Sequence, residues 1–388
     1  MRTSYKHTIA ACSLGYVVQA VVNNFVPLLF VFFSGNFGIS LSKMTFFVTI
    51  NFAIQLLTDL VSAGIVNKIG YKASVITADA MAAAGLISLG ILPYIIDPYT
   101  GLLISILLYA IGGGLLEVVV SPMVEACPTE HKASTMSILH SFYCWGHVFV
   151  VILSTLFFKL FGMDNWRYAA FLWALWPIAN IFYFLNVPIP EIKEEGGEGG
   201  LKGILCSGIF WLMFILMVCA GAAELSMSQW SSAFAEKGLN ISKTMGDLLG
   251  TLMFALLMGI SRLVGAKIIA KISLKSFMIF CSCLCIVSYL VAGLVQNPVI
   301  ALLGCGLCGF SVGIMWPGTY SLSAKKIPNG GTAMFALLAL GGDIGCSSGP
   351  TLVGLVSGAL GDNLRAGLLA AVIFPIILLI GIASLKKK

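Results

Sequence analysis

Charged residues are scarce in this sequence: they make up 10% of 388 residues, whereas hydrophobic residues make up 59%. Soluble domains contain about 25% charged residues. The composition therefore excludes a soluble globular protein and predicts a helical protein with many membrane spans. In such a chain the net charge of +6 reflects membrane topology, and no nucleic-acid partner is expected.

Signatures of several other protein classes are missing. The first apolar stretch, residues 8–33, is too long for a signal-peptide core of about 7–15 residues and has no convincing cleavage site. The 11 cysteines lie almost entirely within apolar runs, which argues against a disulfide framework. The sequence contains no HExxH, no Gly-x-Ser-x-Gly and no four-fold filter repeat. We therefore expect no enzyme, no channel, no metal site and no cofactor.

Twelve apolar stretches are long enough to cross a bilayer as helices, which takes about 20 residues each. Spans 1–6 cover residues 8–33, 44–66, 73–96, 100–121, 136–160 and 168–187. Spans 7–12 cover residues 204–229, 245–268, 275–295, 298–321, 332–357 and 364–385. The polar stretch between them holds a proline pair, an acidic run and several glycines, which is typical of a flexible linker. The prediction is an all-α membrane protein with an N-terminal six-helix bundle at 1–187, a cytoplasmic linker at 188–203 and a C-terminal six-helix bundle at 204–388.

Lys and Arg residues predict the orientation of the chain in the bilayer. With the N-terminus inside, 15 positive charges flank the cytoplasmic ends of the spans and 6 flank the external ends. This asymmetry follows the positive-inside rule. We expect a multi-pass protein of the plasma membrane with both termini cytoplasmic.

The two halves of the chain repeat each other. Residues 58–72 align without gaps on residues 261–275, and seven of the fifteen pairs are identical. A duplicated six-helix unit is a transporter architecture. The repeat places Arg262 where Asp59 stands, and these opposite charges suggest an ion pair that either forms a gate between the halves or neutralises charge locally. Asp343, in a glycine-rich part of span 11, is a further candidate for pairing with a cation.

A carboxylate inside an apolar run is the strongest functional signal in the sequence. Glu117 lies in span 4, after three glycines and before Pro122, and Glu224 lies in span 7. An ionisable side chain within the bilayer is costly, so it usually binds, couples or carries something. Both are candidates for proton coupling, and a structural hydrogen bond or ion pair is the alternative for each.

Polar and aromatic residues within the spans supply the candidates for solute binding. Amides can both donate to and accept from sugar hydroxyls, and an aromatic face can contact the C–H face of a sugar ring. The candidates are Gln19, Asn23, Asn24, Asn51, Gln55, His140, Tyr143, Gln229, Trp230, Trp316 and Tyr320. Helix packing is the alternative for His140, and a place in the interfacial aromatic belt is the alternative for Trp230.

Twelve spans, a duplicated half and a basic loop between spans 2 and 3 resemble the major facilitator superfamily. The loop motif of that superfamily reads Gly-x-x-x-Asp-Arg/Lys-x-Gly-Arg/Tyr-Arg/Lys. Lys68, Gly70 and Lys72 match it here, and Asn67 stands in place of the acid. The resemblance implies a gating or structural role for Lys68 and Lys72.

Within the superfamily, short motifs are most similar to the fucose permease-like sugar–proton symporters. They are Asn23-Asn24 in span 1, Gly113-Gly114-Leu-Leu-Glu117 with Pro122 in span 4, and residues 139–146 in span 5. In that family an aspartate of span 1 and a glutamate of span 4 are implied in proton coupling and sugar binding. Glu117 matches the glutamate, and span 1 has no acid here.

These observations predict a secondary active transporter. The leading hypothesis is proton-coupled symport of a small polar solute, such as a monosaccharide, by alternating access in a monomeric protein. The alternative is a drug or metabolite exporter, working as a proton antiporter with the same fold. Its cavity should be more apolar than one that collects Asn, Gln, His and Glu.

Overall fold

The computed structural model describes residues 5–128, 132–190, 201–269, 272–327 and 331–385. These residues fold into helices, and none of them belongs to a β-strand. The first six spans are filled by the helices Tyr5–Asn24 with Phe30–Phe37, Leu41–Ile69, Tyr71–Leu89, Pro98–Ala126, Lys132–Phe161 and Trp166–Asn186. The last six are filled by Gly208–Ala233, Met253–Ile269, Leu274–Leu294, Pro298–Val312 with Met315–Lys326, Gly331–Ala359, and Leu364–Ala370 with Ile373–Ser384. The all-α prediction is confirmed.

The length and the surface of these helices fit a bilayer. In the described parts of the chain, 11 helical segments are long and apolar enough to cross a membrane. The helix Gly331–Ala359, with 29 residues, fills the remaining predicted span. Large apolar side chains project outward, among them Ile95, Leu160 and Ile380 with exposed fractions of 71%, 66% and 63%. An apolar exterior of this kind is suited to lipid rather than to water.

Contacts divide the chain into two compact units. One unit comprises Met1–Ile39 and Ile50–Glu194, and the other comprises Ser40–Thr49 and Glu195–Lys388. The predicted boundary at the linker falls partly outside the described residues, because 191–200 are not among them, and it stays a prediction.

The segment Ser40–Thr49 differs from the expected division, which assigned all of span 2 to the N-terminal bundle. Glycines of span 11 leave room for its side chains, with Thr45 against Gly354 and Ser42 against Gly358. The hydroxyl groups of Thr49 and Thr351 also form a hydrogen bond. Small residues on helix surfaces permit such close approach, which explains why these ten residues group with the second unit.

A lysine caps the last helix of each unit in the same way. Lys72 Nζ donates to the carbonyl oxygen of Leu185 at 2.9 Å. Its repeat mate Lys275 donates to the carbonyl oxygens of Ala383, at 3.0 Å, and Leu385. The carbonyl groups at a helix C-terminus lack intrahelical partners and favour a cation. Lys72 and Lys275 therefore fasten equivalent helix ends, and Lys68 is exposed, as Lys72 also is.

Candidate functional sites in the two units

Span 1 is interrupted in its middle, next to two of the candidate amides. Its first helix ends at Asn24, a 3-10 turn occupies Val26–Leu29, and the second helix begins at Phe30. Pro27 lies in the turn and lacks the N–H that a continuous helix would use. Interrupted helices in transporters expose backbone and side-chain polar groups to bound solutes. The break therefore marks this level of the first unit as a candidate site.

Three amide side chains form a buried cluster at the break. Asn23 Oδ1 accepts hydrogen bonds from Asn51 Nδ2 at 3.0 Å and from Gln55 Nε2 at 2.7 Å. All three residues are at most 5% exposed. Asn51 Oδ1 has no donor among the described residues, so the cluster retains an acceptor that a hydroxyl group of a solute can satisfy. The structure thus brings together three residues that the sequence predicts as solute ligands.

The glycines of span 4 allow this cluster to form. A Cβ atom at Gly114 would lie 2.9 Å from the Cα atom of Gln55, and one at Gly113 would lie 3.1 Å from Val22 Cγ2. At such distances any larger residue displaces its neighbour. The glycines therefore set how closely span 4 approaches spans 1 and 2.

Gly114→Ala is expected to reduce the free energy of unfolding, because the new methyl group meets backbone that cannot move freely. Overpacking of this kind costs about 1–3 kcal/mol. Thermal unfolding of the detergent-purified protein measures the loss. Gly35→Ala is the matched control, since nothing lies within 4 Å of a Cβ atom there. Equal unfolding temperatures for the two variants would contradict the close packing of span 4 on span 2.

Glu117 accepts a short hydrogen bond from span 1. Gln19 Nε2 donates to Glu117 Oε2 at 2.6 Å. A carboxylate oxygen of Asp59, in span 2, lies within 4.8 Å of one of Glu117. Two carboxyl groups this close repel each other when both are ionised, so the pair is suited to sharing a proton.

A second set of contacts lies one helical turn away from the Glu117–Gln19 pair. The hydroxyl groups of Tyr16 and Ser121 are 2.9 Å apart. The ring of Tyr16 lies against the ring of His140, with 5.1 Å between centroids, and His140 is exposed. Two hydroxyl groups and an imidazole therefore lie on the helices that also carry Gln19 and Glu117, or pack against them.

Tyr143 belongs to the neighbouring turn of span 5. Asn24 Nδ2 lies 3.4 Å from Tyr143 Oη and donates a shorter bond of 2.9 Å to the carbonyl oxygen of Ala20. These contacts join span 5 to the break in span 1. Their roles as solute ligands stay predictions.

In the second unit the buried carboxylate pairs with the arginine of the repeat. Arg262 Nη2 lies 3.8 Å from Glu224 Oε2, and Glu224 is 7% exposed. Glu224 is thus one ion-pair partner of Arg262, and the roles of Asp59 and Arg262 in a gate or in local neutralisation stay predictions.

Aromatic candidates of the second unit lie in packed surroundings. Trp230 has no exposed surface, and its Nε1 donates to the carbonyl oxygen of Pro350 at 2.9 Å. The ring of Trp316 lies against Gly342, and 6.4 Å separates its centroid from that of Tyr320. Trp230 thus connects spans 7 and 11, and its ring offers no open face for stacking on a sugar.

Two further candidates, Gln229 and Asp343, are buried, with exposed fractions of 2% and 7%. They belong to the same two helices, spans 7 and 11, that Trp230 connects. Their roles in solute binding and ion pairing stay predictions.

Three polar residues with defined partners are absent from the predicted ligand set: Tyr16, Ser121 and Asp79. The i, i+4 spacing of Glu117 and Ser121 was an available signal for the second, since both lie on one helical face. Asp79 was detectable as an acid within an apolar run of span 3. Asn180 Nδ2 donates a hydrogen bond of 2.9 Å to Asp79 Oδ2.

Comparison with known proteins identifies the family. The model of the Major Facilitator Superfamily matches residues 12–350, whereas no curated protein matches the chain. A variant of the E. coli fucose:proton symporter FucP aligns with a TM-score of 0.65 and 17% identity over 98% of this chain and 99% of that one. A D-xylose-proton symporter aligns with a TM-score of 0.80 and 11% identity over 98% and 97%.

A third structure is a bacterial homologue of the human lysosomal transporter Spinster. It aligns with a TM-score of 0.73 and 14% identity, over 99% of this chain and 96% of that one. Identities this low indicate a shared fold, which agrees with the family match. The chain therefore belongs to the Major Facilitator Superfamily, and it is a membrane transporter rather than an enzyme.

Proposed function

We propose that this transporter is a proton-coupled symporter of a small polar solute, such as a monosaccharide, and that it works by alternating access. The observation that carries the proposal is the 2.6 Å bond between Gln19 and Glu117, in the unit that also holds the Asn23–Asn51–Gln55 cluster. A proton-binding group and a set of hydroxyl-binding amides thereby share span 1. Binding of the one can then influence binding of the other.

The chemistry follows from the two charge states of Glu117. Ionised, it accepts the hydrogen bond from Gln19 and repels the nearby Asp59 carboxylate. Protonated, it no longer repels Asp59, and Gln19 can instead donate to a hydroxyl group of the solute. Loss of the proton restores the Gln19–Glu117 bond and weakens solute binding, so that proton and solute leave together.

The side chains of Tyr16, Ser121 and His140 supply a route for the proton of Glu117. Tyr16 and Ser121 hold hydroxyl groups 2.9 Å apart, and either can pass a proton by exchanging donor and acceptor roles. Histidine changes its charge near neutral pH, which suits His140 to take up the proton at an accessible position.

Two structural neighbours add support. The fold is shared with a fucose:proton symporter and a D-xylose-proton symporter. We further propose a plasma-membrane location with both termini in the cytoplasm and a monomeric transport unit. The second candidate function is export of a drug or metabolite by proton antiport. It is supported by the structural similarity to the Spinster homologue.

The direction of solute-driven proton movement distinguishes these functions. Purified protein in proteoliposomes is given neutral sugars, sugar acids and other organic acids on the outside, while a dye reports external pH. Symport is expected to make the medium more alkaline with one class of solute, because protons enter with it. Acidification would instead establish antiport, and counterflow of a solute without a pH change would establish uniport; either result would overturn the proposal.

A further inference from the structure

A fully buried carboxyl group lies in the first unit, apart from the half-buried Glu117. Asp79 belongs to the helix Tyr71–Leu89 of span 3, and Asn180 belongs to the helix Trp166–Asn186 of span 6. Asp79 is fully buried and Asn180 is 1% exposed. Asn180 Nδ2 donates to Asp79 Oδ2 at 2.9 Å.

The pair leaves two buried oxygen atoms unsatisfied. Neither Asp79 Oδ1 nor Asn180 Oδ1 has a hydrogen-bond donor within the described residues. Both atoms are acceptors, so they compete for the same kind of partner, namely a proton donor or a cation. A buried acceptor without a partner is costly, and a buried charge without a counter-charge is costlier still.

In the part of the chain that the structure describes, the pair has no counter-charge, because no Lys, Arg or His there forms an ion pair with Asp79. The titratable group near it on span 1 is the thiol of Cys12, which in turn has Cys127, at the end of span 4, in its vicinity. On the side of span 1, Gly15 brings the backbone close to Asn180, with 3.9 Å between a Cβ atom there and Nδ2.

The carboxyl groups of Asp79 and Glu117 belong to separate hydrogen-bonded sets. Glu117 is bonded by Gln19, and Asp79 is bonded by Asn180. Gly112 of span 4 lies against the backbone of Ala78 and Ala82 in span 3. The backbones of spans 3 and 4 therefore meet there, while the carboxyl groups of the two helices bond to different partners. Asp79 is therefore outside the set of residues used in the proposed transport mechanism.

We propose that Asp79 and Asn180 form a binding site for a small monovalent cation, either a proton or Na⁺. A proton on Asp79 Oδ1 converts one of the two unsatisfied acceptors into a donor and removes the buried charge. Na⁺ achieves the same neutralisation by binding the two Oδ1 atoms, since hard cations prefer oxygen ligands. The site does not depend on the proposed function, because cation binding is measurable without transport.

Thermal unfolding of the purified protein in detergent tests the site. In one arm NaCl replaces choline chloride at pH 8, and in the other the pH is varied from 5 to 8 without Na⁺. A Na⁺ site predicts that NaCl raises Tm by at least about 2–4 °C. A proton site predicts a fall in Tm of similar size as the pH rises, because the buried carboxyl group then loses its proton.

Asp79→Asn is the decisive variant, because asparagine keeps the size of the side chain and can keep a hydrogen bond to Asn180 while removing the acid. It is expected to abolish the Na⁺ dependence, or to remove the part of the pH dependence that Asp79 contributes. Asp164→Asn, which removes an exposed carboxylate in the turn Met163–Asn165, is the matched control and is expected to leave the dependence unchanged. The same dependence in Asp79→Asn as in the wild-type protein, or no dependence of the wild-type protein on either cation, would overturn the proposal.

Asn180→Asp keeps the test decisive if Asp79→Asn does not fold. A second carboxyl group opposite Asp79 should strengthen the dependence on the cation, since two acids then compete with each other for neutralisation. A dependence equal to that of the wild-type protein would count against the site.

Discussion

Replacement of Glu117 by glutamine is expected to abolish proton-driven accumulation of the solute while leaving solute exchange intact. Glutamine has the shape of a protonated glutamate and can still accept the bond from Gln19 through its amide oxygen, but it cannot gain or lose a proton. One proton moving through a potential of 100 mV supplies about 2.3 kcal/mol, which corresponds to roughly 50-fold accumulation. This ratio should fall to about 1 in the variant.

Accumulation and counterflow in the same proteoliposomes separate coupling from binding. Asp164→Asn is the matched control, since it removes a carboxylate that is exposed in the turn Met163–Asn165, and it should accumulate the solute normally. Accumulation by Glu117→Gln at the wild-type level would refute the role of Glu117. If Glu224→Gln lost accumulation in its place, the coupling group would belong to the second unit.

Arg262→Met is expected to destabilise the protein by about 3 kcal/mol, the lower end of the range for breaking a buried ion pair. The substitution keeps the length and apolar character of the arginine stem but leaves Glu224, which is 7% exposed, without its cation. The lower end applies because the pair is loose, with 3.8 Å between Nη2 and Oε2, and because 22% of the arginine side chain is exposed. Thermal unfolding in detergent measures the change.

The double variant Arg262→Met/Glu224→Gln serves as the control, because it removes both charges together. It should recover most of the lost stability, since a neutral amide is less costly to bury than a carboxylate. A double variant as unstable as Arg262→Met alone would show that Arg262 stabilises the second unit through contacts other than Glu224. A stable single variant would show that the charge of Glu224 needs no counter-charge.

Sequence patterns predict well those features of the chain that depend on one helix at a time. The scarcity of charge and the length of the apolar runs predict the helices, because backbone polar groups within a bilayer must be bonded inside their own segment. The repeat of residues 58–72 at 261–275 predicts an equivalence that Lys72 and Lys275 display at the ends of the last helices of the two units. Pro27 gave a signal for the interruption of span 1, but Pro122, Pro177 and Pro350 lie inside continuous helices, so a proline alone does not predict where a helix breaks.

Sequence patterns predict contacts between different helices less well. The structure places Arg262 beside Glu224, a pairing that the repeat of opposite charges at Asp59 and Arg262 did not predict. Trp230 is predicted as an aromatic platform for a sugar ring. In the structure its N–H donates to the carbonyl oxygen of Pro350, a contact that the sequence does not reveal. Helical periodicity defines which residues share a face, but it does not define which neighbouring helix that face meets.

The sequence by itself determined that this protein is a helical membrane transporter with a carboxylate in span 4, since hydrophobicity and local propensity act along the chain. Tertiary structure decided which groups that carboxylate meets: Gln19 as its donor and Asp59 as its close neighbour. It also decided that Asp79 lies beside Asn180, 101 residues away in the chain. Such pairs depend on the rotation and the approach of whole helices, which the glycines of span 4 permit and the packing of side chains fixes.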